Sequence, residues 1–356
     1  MKIDKLTFIP HRLKRRGRWQ TASYTADYVD VFYVSIQTDE GITGIGAGSV
    51  VPNARGDSFV DGFEAVKSAA GKLFIGKNPL QLRPLFNALH EAVPGYTRHK
   101  AGIELALYDL VSKAYNVSLS TLLGGGNRDL IPVLKMLSLG TPMEMADTAS
   151  KYIGEGYRHL KVKLGTGLDG DFERFKSVRS AVGTGVTLTV DFNGAYDAAT
   201  AIKVITCLVP EGLGMVEQPV QGSDLKAMAE VKRAVEPIVL ADQEVQTAAD
   251  VFQIARDNLA DAVSIKVLKF GGLQESVAAA RVCAAAGLIC HVGGMASSRL
   301  VDAAQAHFIS ATANVVTPSE IAEFSALDGD LIEGLEVVDG AVQVPSGPGL
   351  GVRLTV

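Results

Sequence analysis

Three acidic residues follow one another along the chain at regular intervals, each at the end of a short apolar run. They are Asp191, Glu217 and Asp242, which lie 26 and 25 residues apart. In a barrel of parallel strands this spacing is one strand plus one helix, so neighbouring strands bring one carboxylate each to the same level. Three carboxylates in such proximity repel one another unless a hard dication lies between them. The pattern therefore predicts a site for Mg2+, or for Mn2+, with oxygen ligands only.

Lysines occupy matching places on two other predicted strands. Alternation in the run 159–164 directs Lys161 and Lys163 into the barrel, away from the apolar face. Lys266 follows Asp242 by 24 residues and is also predicted to point inward. In a ring of eight strands the second and sixth strands lie opposite each other, so Lys266 would face the other two lysines across the metal. Two such groups can act on opposite faces of one bound carbon, as stereochemical inversion requires.

These charges predict the removal of a proton from the carbon next to a carboxylate. A dication coordinated by the substrate carboxylate stabilises the enolate that forms. A lysine can accept the proton once it has lost its own, and nearby cations lower its pKa from about 10.4 towards about 7 to 8. The predicted partner is therefore a small-molecule carboxylate.

The elements that must position these residues repeat along the chain. Apolar runs end near positions 136, 164, 193, 217, 244, 268, 292 and 317, at steps of 24 to 29 residues, and all but the last are followed by a helical pattern. Eight parallel strands at this spacing predict a TIM-type barrel over residues 125–322. A doubly wound open sheet is less suitable, because no Gly-x-Gly-x-x-Gly follows a first strand.

The two ends of the chain have a different pattern. Strand-like runs at 2–10, 29–38 and 44–48 precede three helical stretches, and glycines at 124–126 end this α+β unit. Residues 323–356 are rich in turns and suit a tail that folds back on the first unit. We therefore predict an α/β protein with a capping domain of residues 1–124 plus 323–356 around the barrel.

Composition limits the function classes. The 356 residues are 47% hydrophobic and 21% charged, with a net charge of -5, which favours a globular protein and indicates no nucleic-acid partner. The three cysteines form no metal or disulfide spacing. The sequence shows neither a signal-peptide pattern nor an uninterrupted apolar run of about 20 residues, so we expect a cytoplasmic protein without a membrane partner.

At this point the sequence resembles the enolase superfamily, and within it the muconate-lactonizing-enzyme subgroup of the mandelate racemase/muconate lactonizing enzyme family. The resemblance covers essentially the whole chain. The motifs that carry it are Ala101-Gly102-Ile103-Glu104, Lys161-Val162-Lys163, Asp191-Phe192-Asn193, Glu217, Asp242, Lys266 and Gly293-Gly294-Met295. It implies a modified (β/α)7β barrel with a capping domain, a Mg2+-dependent isomerase activity and a homo-oligomer, either a dimer, a tetramer or an octamer.

The resemblance also implies roles for single residues. Lys163 matches the base of the family's Lys-x-Lys motif and Lys266 matches the opposing lysine, while Lys161 stabilises the substrate carboxylate or tunes Lys163. Asn193 is expected to orient the metal shell. The remaining candidates near the substrate or behind the metal ligands are Glu320, Gln243 and His291. Gln243 departs from the Asp-Glu pair common at the third ligand, and His291 is expected to be structural or supporting, because strand six supplies Lys266 rather than an aspartate.

In this family two loops of the capping domain cover the barrel mouth and select the substrate. Their counterparts here are residues 12–28 and 48–57, with Arg15, Arg16, Trp19 and Tyr24 as lid candidates. Five of the seven positions from 12 to 18 are basic. Such a segment is either a solvated turn or an attractive surface for a substrate with more than one negative charge.

Several reactions stay open at this stage. Dipeptide epimerases of the subgroup carry an Asp-x-Asp pair on strand eight, which residues 319–324 lack. Three reactions share the same enolate intermediate. They are racemisation or epimerisation of an amino-acid derivative, cycloisomerisation of a muconate-like dicarboxylate and, as a lyase alternative, syn elimination from a hydroxy acid. A Schiff-base aldolase also uses a barrel lysine but needs no metal, and a non-catalytic binding protein is the remaining alternative.

Overall fold

The structure, a computed structural model, describes residues 1–17, 19–20, 25–52, 58–316 and 318–355. The chain begins with three strands and four helices: β1 (Ile3–Arg15), β2 (Tyr28–Thr38), β3 (Thr43–Val50), α1 (Phe59–Phe74), α2 (Leu82–Ala92), α3 (Thr97–Ala114) and α4 (Leu119–Leu122). After the short strand β4 (Leu130–Pro132) come seven alternating strands and helices: β5 (Leu134–Leu137), α5 (Pro142–Gly154), β6 (His159–Lys163), α6 (Leu168–Val182), β7 (Thr187–Asp191), α7 (Ala198–Leu208), β8 (Leu213–Glu217), α8 (Leu225–Ala234), β9 (Ile238–Ala241), α9 (Ala248–Arg256), β10 (Ala262–Ile265), α10 (Leu273–Ala286), β11 (Ile289–Val292) and α11 (Arg299–Ala311). The tail adds β12 (Leu327–Asp328), β13 (Ile332–Glu333), β14 (Val337–Val338), β15 (Ala341–Gln343) and β16 (Arg353–Leu354).

An antiparallel sheet in the order β12-β1-β2-β3 forms the capping unit. Its first strand is longer than predicted, because it continues past Pro10 to Arg15. The extension pairs on one side with β2 and on the other with β12, where Lys14 opposes Asp328. Backbone pairing on two sides therefore makes a strand of residues that the sequence alone indicates as a loop.

Helix α3 lies directly on β3, and three alternate glycines permit this close approach. A Cβ atom at Gly44 would lie 2.1 Å from the carbonyl oxygen of Ala106, and one at Gly46 would lie 2.0 Å from that of Gly102. Gly48 is similarly crowded by the carbonyl oxygen of Arg98. Residues with larger side chains at these positions would push the helix off the sheet.

The central layer is a parallel sheet in the order β11-β10-β9-β8-β7-β6-β5. Residues on either side of position 317 link β11 and β5: Val315 forms a parallel bridge with Cys290, and Ser319 forms one with Val133 and accepts the N–H of Leu134. The Glu320 N–H also donates to the carbonyl of Val292. The predicted fold class, an α/β (β/α)7β barrel with an antiparallel capping unit, is confirmed. Residue 317 itself, where the eighth strand was predicted to end, lies outside the described residues.

Apolar side chains fill the lower part of the barrel, and polar side chains point inward above them. Met215, Leu240 and Ala262 pack together with Ile238 and Ile289 from the neighbouring strands. Side chains two residues further along a strand point to the same side one level higher. The charged groups therefore lie at the carboxyl ends of the strands, the face on which TIM barrels carry their active sites.

The tail contacts both parts of the molecule. β12 pairs with β1, whereas β15 pairs with β4. Buried Asp109 in α3 accepts the N–H groups of Ile45 in β3 and Leu350 in the tail. The division into residues 1–124 plus 323–356 and 125–322 stays a prediction. Among the helices of the described residues, none is both long and apolar enough to cross a membrane.

Candidate active site

The three predicted carboxylates lie side by side at the ends of neighbouring strands. Asp191 and Glu217 are register partners on β7 and β8, and Asp242 follows the last residue of β9. All three residues are buried, with exposed fractions of 1%, 1% and 7%. The repeat of one strand and one helix thus brings the acids together as the spacing predicts.

Lys163 contacts one end of this row. Its Nζ lies 2.5 Å from Oδ2 of Asp191 and 3.1 Å from Oδ1 of Asn193. Asn193 adopts a left-handed backbone conformation, with φ of 50°, and its N–H donates to the other oxygen of Asp191 at 2.7 Å. Both carboxylate oxygens of Asp191 are therefore held in place.

Lys161 lies deeper, between two acids. Its Nζ is 2.9 Å from Oε2 of Glu217 and 2.7 Å from Oε1 of Glu320. Burial opposes its charge, but the carboxylates of Glu217, Glu320 and Asp191 outweigh burial and raise the pKa of Lys161 well above its ordinary value. Lys161 is thus an ammonium held between carboxylates in the centre of the site.

Glu320 connects Lys161 to His291, whose Nε2 lies 3.2 Å from the same Oε1. Burial favours the neutral acid, yet Lys161 and His291 together hold the pKa of Glu320 below its usual range. The structure therefore places Glu320 and His291 beside the cluster, in contact with Lys161. Their part in the reaction stays a prediction.

At the other end of the row, Asp242 contacts two lysines. The Nζ atoms of Lys266 and Lys269 each lie 2.8 Å from its Oδ1. Burial alone would favour the neutral acid, but these ammonium groups hold the pKa of Asp242 far below its usual range. Burial likewise opposes the charge of Lys266, and Asp242 and Glu217 outweigh it and raise its pKa.

Two glutamines connect the strand ends. Oε1 of Gln218 accepts the N–H groups of Asp242 and Gln243, at 2.8 and 2.7 Å. The side-chain amide of Gln243 donates to the carbonyl of Asn193. Gln243 thus bridges the ends of β7 and β9, behind the metal-ligand candidates.

The sequence analysis missed Gln218 and Lys269. Each lies close to a predicted residue, in Glu217-Gln218 and in Lys266-Val267-Leu268-Lys269. That proximity is the only signal in the sequence, because their contacts with Asp242 lie 24 and 27 residues away along the chain.

Lys163 and Lys266 lie on opposite sides of the carboxylate row. Their strands, β6 and β10, are separated by β7, β8 and β9 in the sheet order. Lys163 contacts Asp191 at one end, and Lys266 contacts Asp242 at the other and lies 3.7 Å from Oε1 of Glu217 in the middle. The geometry therefore provides an amine on each side of one anionic centre.

The donor set suits a hard divalent cation. Oε1 of Glu217 is buried and accepts no hydrogen bond, and burial raises the pKa of this carboxyl. A dication would satisfy such an oxygen, and three carboxylates match the preference of Mg2+ for oxygen ligands. Within the described ranges, no three acidic, histidine or cysteine side chains lie close enough together to hold a metal ion as they are. The lysine ammonium groups pair with the acids instead, so metal binding requires them to release some of these contacts.

Arg15, one of the lid candidates, lies at the end of β1. Its guanidinium carbon is 3.6 Å from the centre of the Trp19 ring, and a terminal nitrogen is 3.6 Å from Oε2 of Glu323. Arg16 donates to the carbonyl of Ser325 at 2.5 Å. The described arginines of the basic segment are therefore engaged with the rest of the protein rather than directed only to solvent. Tyr24 and Arg18 lie outside the described residues.

The chain after Trp19 contacts the first barrel loop. The N–H of Gln20 donates to Oγ of Ser138 at 2.7 Å, and the N–H of Leu139 donates to the carbonyl of Gln20 at 3.1 Å. These bonds connect the predicted lid to the barrel mouth. Substrate contacts of Arg15, Arg16 and Trp19 stay a prediction.

The fold and the acid–lysine cluster at the barrel mouth define an α/β-barrel enzyme with an antiparallel capping unit. A family model described as the mandelate racemase / muconate lactonizing enzyme N-terminal domain matches residues 4–124, and one described as enolase C-terminal domain-like matches residues 144–355. The chain therefore belongs to the mandelate racemase/muconate lactonizing enzyme family of the enolase superfamily. The resemblance stated from the motifs is confirmed.

Relatives with different names share the whole length of the chain. It is 28% identical to the N-succinyl-L-Arg/Lys racemase of Bacillus cereus, over 99% of this chain and 96% of that protein. It is 31% identical to muconate cycloisomerase 1 of Rhodococcus opacus, over 98% of this chain and 95% of that protein. The solved structure of a dipeptide epimerase from Enterococcus faecalis V583, complexed with Mg and L-Leu-L-Tyr, superposes with a TM-score of 0.95. That match is at 28% identity and covers 99% of this chain and 100% of that one.

Proposed function

We propose that this protein is a Mg2+-dependent isomerase that removes and returns the proton next to the carboxylate of a small molecule. The observation that carries the proposal is the placement of Lys163 and Lys266 at opposite ends of one row of buried carboxylates. One ammonium or amine on each side of a bound carbon suits transfer of a proton across that carbon. The names of the relatives, which include racemase, epimerase and cycloisomerase, support the same reaction class.

Asp191, Glu217 and Asp242 would hold the ion. When bound, Mg2+ supplies the positive charge that a substrate carboxylate and its enolate need. The Mg in the solved dipeptide epimerase supports this choice, and Mn2+ remains the alternative with the same ligand preference. Asn193 orients the Asp191 carboxylate by donating to both of its oxygens, whereas Gln218 and Gln243 hold the main chain at the strand ends that carry the acids.

The two outer lysines carry the proton. Lys163 accepts it at Nζ from one face of the α-carbon, and Lys266 delivers a proton from its Nζ to the other face. Because either lysine can take either part, the pair interconverts two configurations. Each must first exchange its contact with Asp191 or Asp242 for a position beside the substrate.

Lys161 has a different task, because its ammonium lies deeper, between two carboxylates. Glu217 and Glu320 hold its ammonium in the barrel centre, and His291 supports Glu320. We infer that this fixed cation attracts the substrate carboxylate and stabilises the negative charge that develops during proton removal.

The substrate is proposed by class. The relatives are named for an N-succinyl amino acid, a muconate and dipeptides. Residues 319–324 contain Glu320 and Glu323 but no Asp-x-Asp pair, and Glu320 is already paired with Lys161. We therefore favour an N-acylated amino acid or a dicarboxylate over a free dipeptide. A homo-oligomer stays a prediction that light scattering can test.

Proton NMR in D2O with Mg2+ tests the proposal on a mixed panel of N-acyl amino acids, dipeptides, muconates and hydroxy acids. We expect one compound to lose its α-proton signal or to cyclise, and EDTA or the double variant Lys163→Ala/Lys266→Ala to stop it. Lys203→Ala, an exposed residue of α7, is the matched lysine control. A new carbon–carbon double bond in the product would identify the lyase alternative. If α-proton exchange continues in the presence of EDTA, and borohydride traps a keto substrate covalently on the protein, the result would indicate the Schiff-base aldolase and contradict the proposal.

A further inference from the structure

Lys269 is a fourth lysine of the site. Its Nζ donates to Oδ1 of Asp242 at 2.8 Å, to the main-chain carbonyl of the same residue at 2.7 Å and to the carbonyl of Ser264 at 3.4 Å. Only 13% of its side chain is exposed. A buried ammonium thus connects a carboxylate to the main chain at the ends of two strands, β9 and β10.

Lys266 shares the same carboxylate oxygen but is held differently. Its ion-pair partners are the carboxylates of Asp242, at 2.8 Å, and Glu217, at 3.7 Å. A bound cation would compete with Lys266 for both partners. Lys269 can retain its hydrogen bonds to two main-chain carbonyls when a cation binds the carboxylates, because the main chain at the strand ends is fixed by the barrel. Of the two lysines, Lys266 is therefore the one that can leave.

The charges of the cluster make such a departure necessary. Four carboxylates, those of Asp191, Glu217, Asp242 and Glu320, face four ammonium groups, those of Lys161, Lys163, Lys266 and Lys269. A dication added to this balanced set repels the nearest mobile ammonium. Among the hydrogen bonds and ion pairs of the described residues, only those of Lys266 and Lys269 reach the Asp242 carboxylate. Once Lys266 has left, Lys269 alone orients it.

We propose that Lys269 is a positioning residue that holds the Asp242 carboxylate in its metal-binding orientation, so that Lys266 is free to act on the substrate. The inference rests on the proposed function, because it takes Asp242 as a metal ligand. It assigns two lysines three residues apart to separate tasks: Lys269 is fixed and orients the ligand, and Lys266 moves and carries the proton.

An opposite role for Lys269 makes the inference testable. A lysine that merely repels the cation would weaken metal binding, so its removal would tighten it. A lysine that orients a ligand strengthens binding, and removal of such supporting groups typically costs about 10- to 100-fold in metal affinity. The direction of the change therefore decides between the two roles.

Mn2+ titration followed by electron paramagnetic resonance measures the free ion directly and needs no substrate. We expect Lys269→Met to weaken Mn2+ binding by about 10-fold or more, and Lys269→Arg, which retains a charged donor, to recover part of the affinity. Lys266→Met is the matched control and should bind Mn2+ as tightly as the wild type or more tightly. With an identified substrate, Lys269→Met should need more Mg2+ for half-maximal rate but approach the wild-type kcat at saturation, whereas Lys266→Met should lose kcat at every Mg2+ concentration.

The outcomes separate this inference from the proposed function. If Lys269→Met folds normally by circular dichroism and binds Mn2+ as tightly as the wild type or more tightly, the positioning role is overturned. The metal site is upheld separately if the wild type binds Mn2+ and Asp242→Asn does not. If Lys269→Met does not fold, Lys269→Arg provides the test of the positioning role. Weaker Mn2+ binding by folded Lys269→Arg than by the wild type supports that role, and unchanged or tighter binding overturns it. If the wild type binds no Mn2+, or Asp242→Asn binds it equally well, the metal assignment fails and this inference fails with it.

Discussion

Lys163 and Asp191 are register partners on neighbouring parallel strands, and their side chains meet with 2.5 Å between Nζ and Oδ2. The same alternation that directs Lys163 inward on β6 directs Asp191 inward on β7. Strand register alone therefore places the proposed base beside the first proposed metal ligand. The opposing lysine, Lys266, lies just beyond β10 and reaches Asp242 by a side-chain contact.

Single replacement of Lys163 or Lys266 by alanine should abolish interconversion of two configurations. General acid–base catalysis contributes about 100- to 10,000-fold to rate, so we expect losses of at least that size. Each variant should still exchange the α-proton of one configuration with D2O, and the two variants should prefer opposite configurations. NMR with separate enantiomers measures this. Equal exchange of both enantiomers by one variant would contradict the two-base arrangement.

Mg2+ should stabilise the folded protein. An ion that binds only the folded state adds about 3 kcal/mol at a concentration 100 times its Kd. Thermal unfolding with and without Mg2+ measures the effect, and Glu217→Gln should remove it because this variant loses a carboxylate whose Oε1 is buried without a hydrogen bond. A Mg2+ shift of the same size in Glu217→Gln would place the ion elsewhere.

His307 should make the fold sensitive to mild acid. The N–H of Ser120 donates to its Nδ1 and its Nε2 lies 3.2 Å from the carbonyl of Leu350, so the ring is neutral and joins α4, α11 and the tail. Burial lowers its pKa from 6.5 to about 4. The unfolded chain therefore takes up a proton that the folded protein resists, and stability falls as the pH drops through 6.5 towards 4.

The loss attributable to His307 amounts to about 3 kcal/mol by pH 4. Denaturant unfolding between pH 4 and 8 measures it. His307→Gln can make both hydrogen bonds without titrating, so its free energy of unfolding should depend less on pH across this range. Parallel pH profiles for the two proteins would show that His307 does not contribute.

Gly272 should tolerate no side chain. Its φ is 136°, and an added Cβ would lie 2.3 Å from the carboxyl carbon of Glu104. That buried carboxyl accepts the N–H of Gln274 at the start of α10 and so connects the capping unit to the barrel. We expect Gly272→Ala to lower the free energy of unfolding by about 2 kcal/mol or more.

Gly71→Ala is the control for that change. Gly71 lies within α1, where an added Cβ meets nothing within 4 Å. Alanine in a helix interior stabilises it by about 0.5 to 1 kcal/mol relative to glycine. Denaturant unfolding of both variants gives the comparison, and a harmless Gly272→Ala would show that Glu104 can move aside.

Much of the site could be predicted because its pattern is local. Asp191, Glu217 and Asp242 recur at the length of one strand plus one helix, and alternation alone directs Lys161 and Lys163 inward. The strand extension to Arg15 could not be predicted in this way. It depends on pairing with β2 along one edge and, at Lys14 and Arg15, with β12 at the far end of the chain.

The sequence by itself determined the family through the resemblance of its motifs. It also determined the barrel and the principal charged residues, because repeat length and alternation are properties of neighbouring residues. Only the tertiary structure decided how those charges pair. That Glu320 joins Lys161 to His291 depends on closure of the barrel. That Lys269 rather than Lys266 is tied to the main chain at Asp242 depends on the packing of β10 beside β9. Closure brings strand ends that are distant in sequence to within hydrogen-bonding distance, and no local pattern encodes which side chains then meet.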